Sequence, residues 1–160
     1  MATPKINFPR LRQSYKKADA KERAFLIEAL GIDIFNGNIM ERVTTLREAC
    51  EETGRDFDKE FSIEHTSCES LNETGFRELG IIFEALNEGE EIDFFNASQK
   101  KYYGWIEYVS GRGLSLGVVY CVNAHTYVGP RLCTVNEKLY RYAFTQFPDS
   151  FNKFFLNHKK

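Results

Sequence analysis

His65 and Cys68 stand in an H-x-x-C spacing, and Cys121 and His125 in a C-x-x-x-H spacing. Thiolate and imidazole are ligands that zinc prefers, and four of them can surround the ion tetrahedrally. Neither spacing is that of a zinc knuckle, so buried thiols and surface histidines are the favoured reading. No metal and no cofactor is assigned. Hydrolytic chemistry has less support still. Neither a G-x-S-x-G elbow nor a P-loop occurs, and the three histidines form no recognisable constellation. The chain reads as a binding protein rather than an enzyme.

Aromatic and basic residues interleave after residue 100. Tyr102, Tyr103, Trp105, Tyr108, Tyr120 and Tyr127 lie near Lys100, Lys101, Arg112 and Arg131. Aromatic faces with adjacent cations suit single-stranded nucleic acid or a nucleotide. The candidate contacts are Lys101, Tyr103, Trp105, Arg112, Tyr127 and Arg131. The competing and favoured reading places the aromatic rings in a sheet-helix core with their hydroxyls at its edge. Arg131 lies in "TYVGPRLCT", where Gly129-Pro130 ends or bends a strand. Its guanidinium can hold that corner by bonding carbonyls, or bind a ligand.

These residues need elements to position them. Pro4 and Pro9 argue against an early helix. Asp19 is placed to cap a helix to about Leu30, with Phe25, Leu26, Ala29 and Leu30 on one face and Gly31 as the stop. Ile39, Met40, Val43, Leu46, Ala49 and Cys50 predict a second helix ending at Gly54. The polar stretch "RDFDKEFSIEHTSCES" reads as a loop. A third helix is expected from about Asn72, with Phe76, Leu79, Ile82, Phe83 and Leu86 inward and Gly89 at its end. "KYYGWIEYV", "LSLGVVYCV" and "TYVGPRLCT" read as three antiparallel strands, the first two joined by the hairpin signal "SGRG". Strict alternation puts Leu114, Leu116, Val118, Tyr120 and Val122 on one face of the second strand. Thr134-x-x-Glu137 fits a capping box for a further helix, broken at Pro148 and followed by a short final one. The fold expected is α+β: N-terminal helices, a three-stranded antiparallel meander and a C-terminal helix packed on the sheet.

With 160 residues, 42% of them hydrophobic and 14% aromatic, one domain over 1–160 with an adequate core is expected. It has room for a helical N-terminal lobe (1–70) beside an α+β core (71–160). No apolar run is long enough to span a membrane. "MATPKINFPRLRQ" has no apolar signal core, so a reducing cytoplasm and free cysteines are expected. Charge is segmented. Residues 1–31 hold seven Lys/Arg against three Asp/Glu, residues 32–97 five against seventeen, and residues 98–160 nine against three. The favoured expectation is that the segments neutralise one another across the fold; the alternative is an acidic face for a basic partner and a basic face for nucleic acid. An exposed strand edge leaves homo-oligomers open.

"ALNEG" (85–89), "DFFNASQKKYYGW" (93–105), "YVGPRLC" (127–133) and "KLYRYAFTQFPDSFNKFFL" (138–156) resemble, in that order, pieces of a group of small uncharacterised proteins of Bacteroidetes phages and prophages. The likeness covers residues 85–156 and departs from the group's pattern at Gly104, Pro130 and Phe144. It implies a phage or prophage setting and carries no catalytic residue. The leading functional expectation is a non-enzymatic phage-type accessory protein in the bacterial host cytoplasm, binding a host or phage macromolecule, a protein ahead of nucleic acid, and serving counter-defence. The second is a nucleic-acid or nucleotide binder using the aromatic-basic hairpin, and the third a minor virion or assembly component.

Overall fold

In the computed structural model, which describes residues 6, 8–63, 70–123 and 132–156, capping chemistry sets most helix boundaries. α1 spans Phe8–Lys17, so a helix forms where the prolines argued against one. Pro9 falls in its first turn, where a missing N–H has no helical acceptor to lose. α2 (Ala20–Leu30) starts at the expected cap: Asp19 Oδ1 accepts from the Lys21 and Glu22 amides, and Glu22 reaches back to the Asp19 amide. Gly31 closes it at φ 84°. None of its residues is buried, and Phe25 is 68% exposed, so the predicted inward face meets no core.

The single helix expected from Ile39 to Cys50 is divided. After the single turn α3 (Asp33–Asn36), α4 (Ile39–Arg42) stops at Val43 and α5 (Leu46–Glu52) starts afresh. Thr45 caps α5, and the Glu48 carboxylate returns to the Thr44 and Thr45 amides at 2.9 Å. This box outcompetes helical continuation through Val43-Thr44-Thr45, a β-branched run that favours extended backbone. Within the stretch read as a loop, Phe57–Glu60 forms one further turn, α6.

α7 (Leu71–Leu86) opens on a Ser70/Glu73 capping box and is the centre of the molecule. Leu79, Ile81, Ile82, Phe83, Ala85 and Leu86 are all buried. They pack with Ile39, Val43, Ala49 and Cys50 on one side and with Leu139, Tyr140, Ala143, Phe147 and Phe151 on the other. Phe76 lies outside this core, 40% exposed, with its ring 5.5 Å from that of Phe154. At the C-terminus, α8 (Glu137–Gln146) and α9 (Pro148–Leu156) close the core. α9 crosses α7 at Gly75, where a Cβ would come within 2.5 Å of the Phe154 amide nitrogen. Beside that crossing the buried Glu78 carboxylate accepts from Ser150 Oγ at 2.7 Å and pairs with Lys153 at 2.6 Å. The Tyr142 hydroxyl lies 2.6 Å from the Met40 carbonyl and 2.8 Å from that of Val43, holding α8 to the end of α4.

The charged segments neutralise one another at the junction of the first helices with the core. The Arg12 guanidinium pairs with Glu52, Arg42 with Glu52 (3.7 Å) and Glu88 (2.8 Å), and Lys16 with Glu88 (3.7 Å). Burial lowers Arg12 to about 10, helped by the like charge of Arg42 and opposed by Glu88.

The sheet corrects the expected fold. β1 (Lys101–Val109) and β2 (Gly113–Val122) pair antiparallel and are its only strands among the described residues. Of the segment expected as a third strand, residues 126–131 lie outside the described residues; its described end meets β1 on the side away from β2, so the order there is not that of a meander. Thr134 and Tyr102 exchange both backbone hydrogen bonds at 2.9 Å in an isolated bridge. Side chains hold this end of the segment. Asn87, 6% exposed just past α7, donates from Nδ2 to the Cys133 carbonyl (3.1 Å) and accepts at Oδ1 from the Val135 amide (3.0 Å). Thr134 Oγ1 donates to the Asn136 carbonyl at 2.6 Å, and Asn136, rather than Thr134, caps α8 by accepting from the Leu139 amide at 3.1 Å.

Asn87→Ala would leave a buried carbonyl and a partly buried amide unpaired, costing about 2–3 kcal/mol. For a chain of this size, thermal denaturation should show a melting temperature lower by about 5–10 °C. An unchanged melting temperature would show that the carboxamide does not hold the segment.

Candidate binding surface

The hairpin is held to the core by one face. Tyr140 on α8 lies against β1 at Gly104, where a Cβ would come within 2.3 Å of the Tyr140 ring and 2.5 Å of the Leu116 side chain. Only glycine permits that approach. Burial raises the Tyr140 phenol, and a hydrogen bond from the Gly104 backbone opposes the shift. Ile106, Leu114, Leu116 and Val119 pack on the same side.

A β-bulge decides which side chains face out. Gly104 pairs with Val119 but Ile106 with Leu116, so Gly117 and Val118 together stand opposite Trp105. The extra residue reverses the alternation beyond it. Leu116 and Val119 both turn to the core, while Val118 (52% exposed) and Tyr120 (44%) turn to solvent beside Trp105 (57%). The strict alternation read from the sequence, with Leu116, Val118 and Tyr120 on one face, is therefore overturned. Gly117, a glycine inside a strand and followed by two valines, was the available signal for the bulge.

The candidate residues separate accordingly. Tyr103 is half-buried, and its ring lies 5.6 Å from that of Tyr120 across the strands. Trp105 stands on the outer face. Arg112 is exposed in the turn, between Gly111 (φ 78°) and Gly113 (φ 84°). Lys101 is 1% exposed, and its ammonium donates to the Asn96 carbonyl (2.9 Å) and the Gln99 carbonyl (3.1 Å). It closes the loop that leads into β1, which Gln99 also ties back to the Asp93 amide and the Glu91 carbonyl. Tyr127 and Arg131 lie outside the described residues, as do His65, Cys68 and His125. Among the described residues no group of three or more His, Cys, Asp or Glu side chains is placed to hold a metal ion.

Several cations of the C-terminal segment are engaged internally. Lys153 pairs with Glu78 and Arg141 with Glu137 (2.7 Å), and Lys101 is spent on carbonyls. Lys100, Arg112 and Lys138 remain exposed. Among the described residues no helix is long and apolar enough to cross a membrane. Comparison with protein-family models, curated proteins and solved structures finds no match to this chain.

The three described cysteines differ in reactivity. Cys121 is exposed on β2, whereas Cys50 and Cys133 are buried and burial pushes each up to about 11. Glu60 adds to the rise at Cys50, and Lys101 opposes it at Cys133. At pH 7.5 each buried thiol carries on the order of 100-fold less thiolate than an ordinary cysteine. Native-state maleimide labelling read by peptide mass spectrometry should modify Cys121 first and leave Cys50 and Cys133 until unfolding. Labelling of Cys133 as fast as Cys121 would contradict its placement.

Proposed function

We propose that this chain is a non-enzymatic binding protein that engages a protein partner through the outer face of the β1–β2 hairpin. The observation that carries this reading is the cluster formed by Trp105, Val118 and Tyr120, three large side chains side by side in solvent on a ribbon whose other face is anchored. Exposed aromatics on a rigid support are the usual anchors of protein recognition, because they bury much area at little entropic cost. The engagement of Arg141 and Lys153 in ion pairs and of Lys101 with carbonyls leaves fewer free cations for phosphates, which favours a protein over nucleic acid. The resemblance to phage proteins supports an accessory role, with the partner drawn from the host or the phage.

Affinity capture with nuclease-treated lysate, comparing wild type with Trp105→Ala/Tyr120→Ala, tests this. The wild type should retain one dominant protein, and retention should persist at roughly 0.5 M salt because the contact is apolar. The double variant should lose at least about 10-fold of it, as expected for truncation of two anchors, while its circular dichroism stays unchanged. Full retention by the variant would remove this face from the reading. Capture of nucleic acid alone, falling steeply with salt, would replace a protein partner by a phosphate backbone.

A further inference from the structure

The two edges of the hairpin are not equivalent. The outward edge of β1 is occupied at its start, from Tyr102 to Gly104. Tyr102 spends its backbone donor and acceptor on Thr134, and the Gly104 backbone bonds to Tyr140. On β2, Cys121 stands opposite Tyr102 and Val119 opposite Gly104. Because Tyr102 directs its backbone groups away from β2, the antiparallel pattern directs those of Cys121 away from β1. Val119, two residues before, points the same way, and the alternation carried one residue past the end of β2 gives Asn123 that direction too. Among the described residues none of these groups has a backbone partner outside the hairpin. β2, from Gly113 to Val122, also contains no charged residue and no proline, two devices by which edge strands are kept from pairing. The bulge at Gly117–Val118 twists the strand before this point, which leaves regular strand from Val119 to Val122.

We propose that two copies of this chain associate through the outer edge of β2, antiparallel, about a two-fold axis at Cys121. In that register the Cys121 residues exchange backbone hydrogen bonds with each other, and Val119 does so with Asn123 of the partner subunit. Tyr120 stands opposite Val122 of the partner subunit, an aromatic and β-branched pair of the kind that stabilises adjacent strands. The two Arg112 turns fall at opposite ends, so like charges do not meet. The product is a four-stranded sheet, closed by isologous contacts, whose outer face joins both Trp105–Tyr120 clusters. Tyr120 belongs to both surfaces, but the pairing runs through the backbone of the β2 edge and needs no contact by Trp105, so this inference does not depend on the proposed partner.

Sedimentation of the full chain at about 100 µM, enough to populate a dimer of micromolar affinity, should give twice the chain mass of 18.6 kDa. In a Cys68→Ser background a short bis-maleimide should join Cys121 to Cys121 of the partner subunit. Asn123→Pro, which deletes an outward amide at an exposed position past the end of β2, should return the monomer with unchanged circular dichroism. Tyr120→Lys should do so through like charges near the axis. Trp105→Ala, which alters the face and leaves the edge, should keep the dimer, separating this inference from the partner-binding reading. The proposal is overturned by a monomer at this concentration or by failure of the Cys121 cross-link. It is equally overturned by a dimer that survives both edge variants, or by one lost in Trp105→Ala.

Discussion

One carboxamide, that of Asn87, fixes where the hairpin stands. It sits just beyond the helix whose side chains form most of the core, and it holds the chain on both sides of Thr134. Thr134 in turn exchanges two backbone hydrogen bonds with Tyr102 at the start of β1. The path from α7 to the hairpin thus runs through polar groups removed from bulk water, where a missing partner costs more than a made bond gains. The same segment starts α8 within two residues, so the docking of the strand and of the helix behind it is set together.

A two-stranded ribbon is marginal by itself in water. Here it is stabilised from one side, by Tyr140 lying on Gly104 and by Ile106, Leu114, Leu116 and Val119 reaching the core. Lys101 ties its entry loop through carbonyls rather than through a carboxylate. The ribbon is therefore rigid at its base and bare on its outer face. That combination suits recognition, since the aromatic groups lose little freedom when a partner covers them.

Part of the charge is paired within the fold. The acidic middle of the chain meets the basic first helix at Arg12, Glu52, Arg42 and Glu88, and meets the last helix at Glu78 and Lys153. The buried Arg12–Glu52 pair ties α1 to the core, whereas α2 buries no residue.

The helix starts at Ala20 and Leu71 and the span of β1 were legible in the sequence because they rest on local physics. Asp19 and Ser70 cap through residues three positions away, and "KYYGWIEYV" is a strand by composition and by the glycine turn that follows. The break at Val43 was also local, since Thr45 and Glu48 form the same box, but the apolar spacing running across it hid the signal. Tertiary structure decided the rest. Which face of β1 is covered, and so whether Trp105 is bare, depends on Tyr140 of a helix distant in sequence, whereas Lys101 is held by the loop just before it. The position of Thr134 beside β1 is likewise non-local, since Asn87 lies more than forty residues away. The sequence by itself determined the helix starts at Ala20 and Leu71 and the hairpin strands, because capping and propensity act within a few residues. The outward face of the hairpin was decided by the bulge and by the neighbours that cover the other side, which only the packed chain brings together.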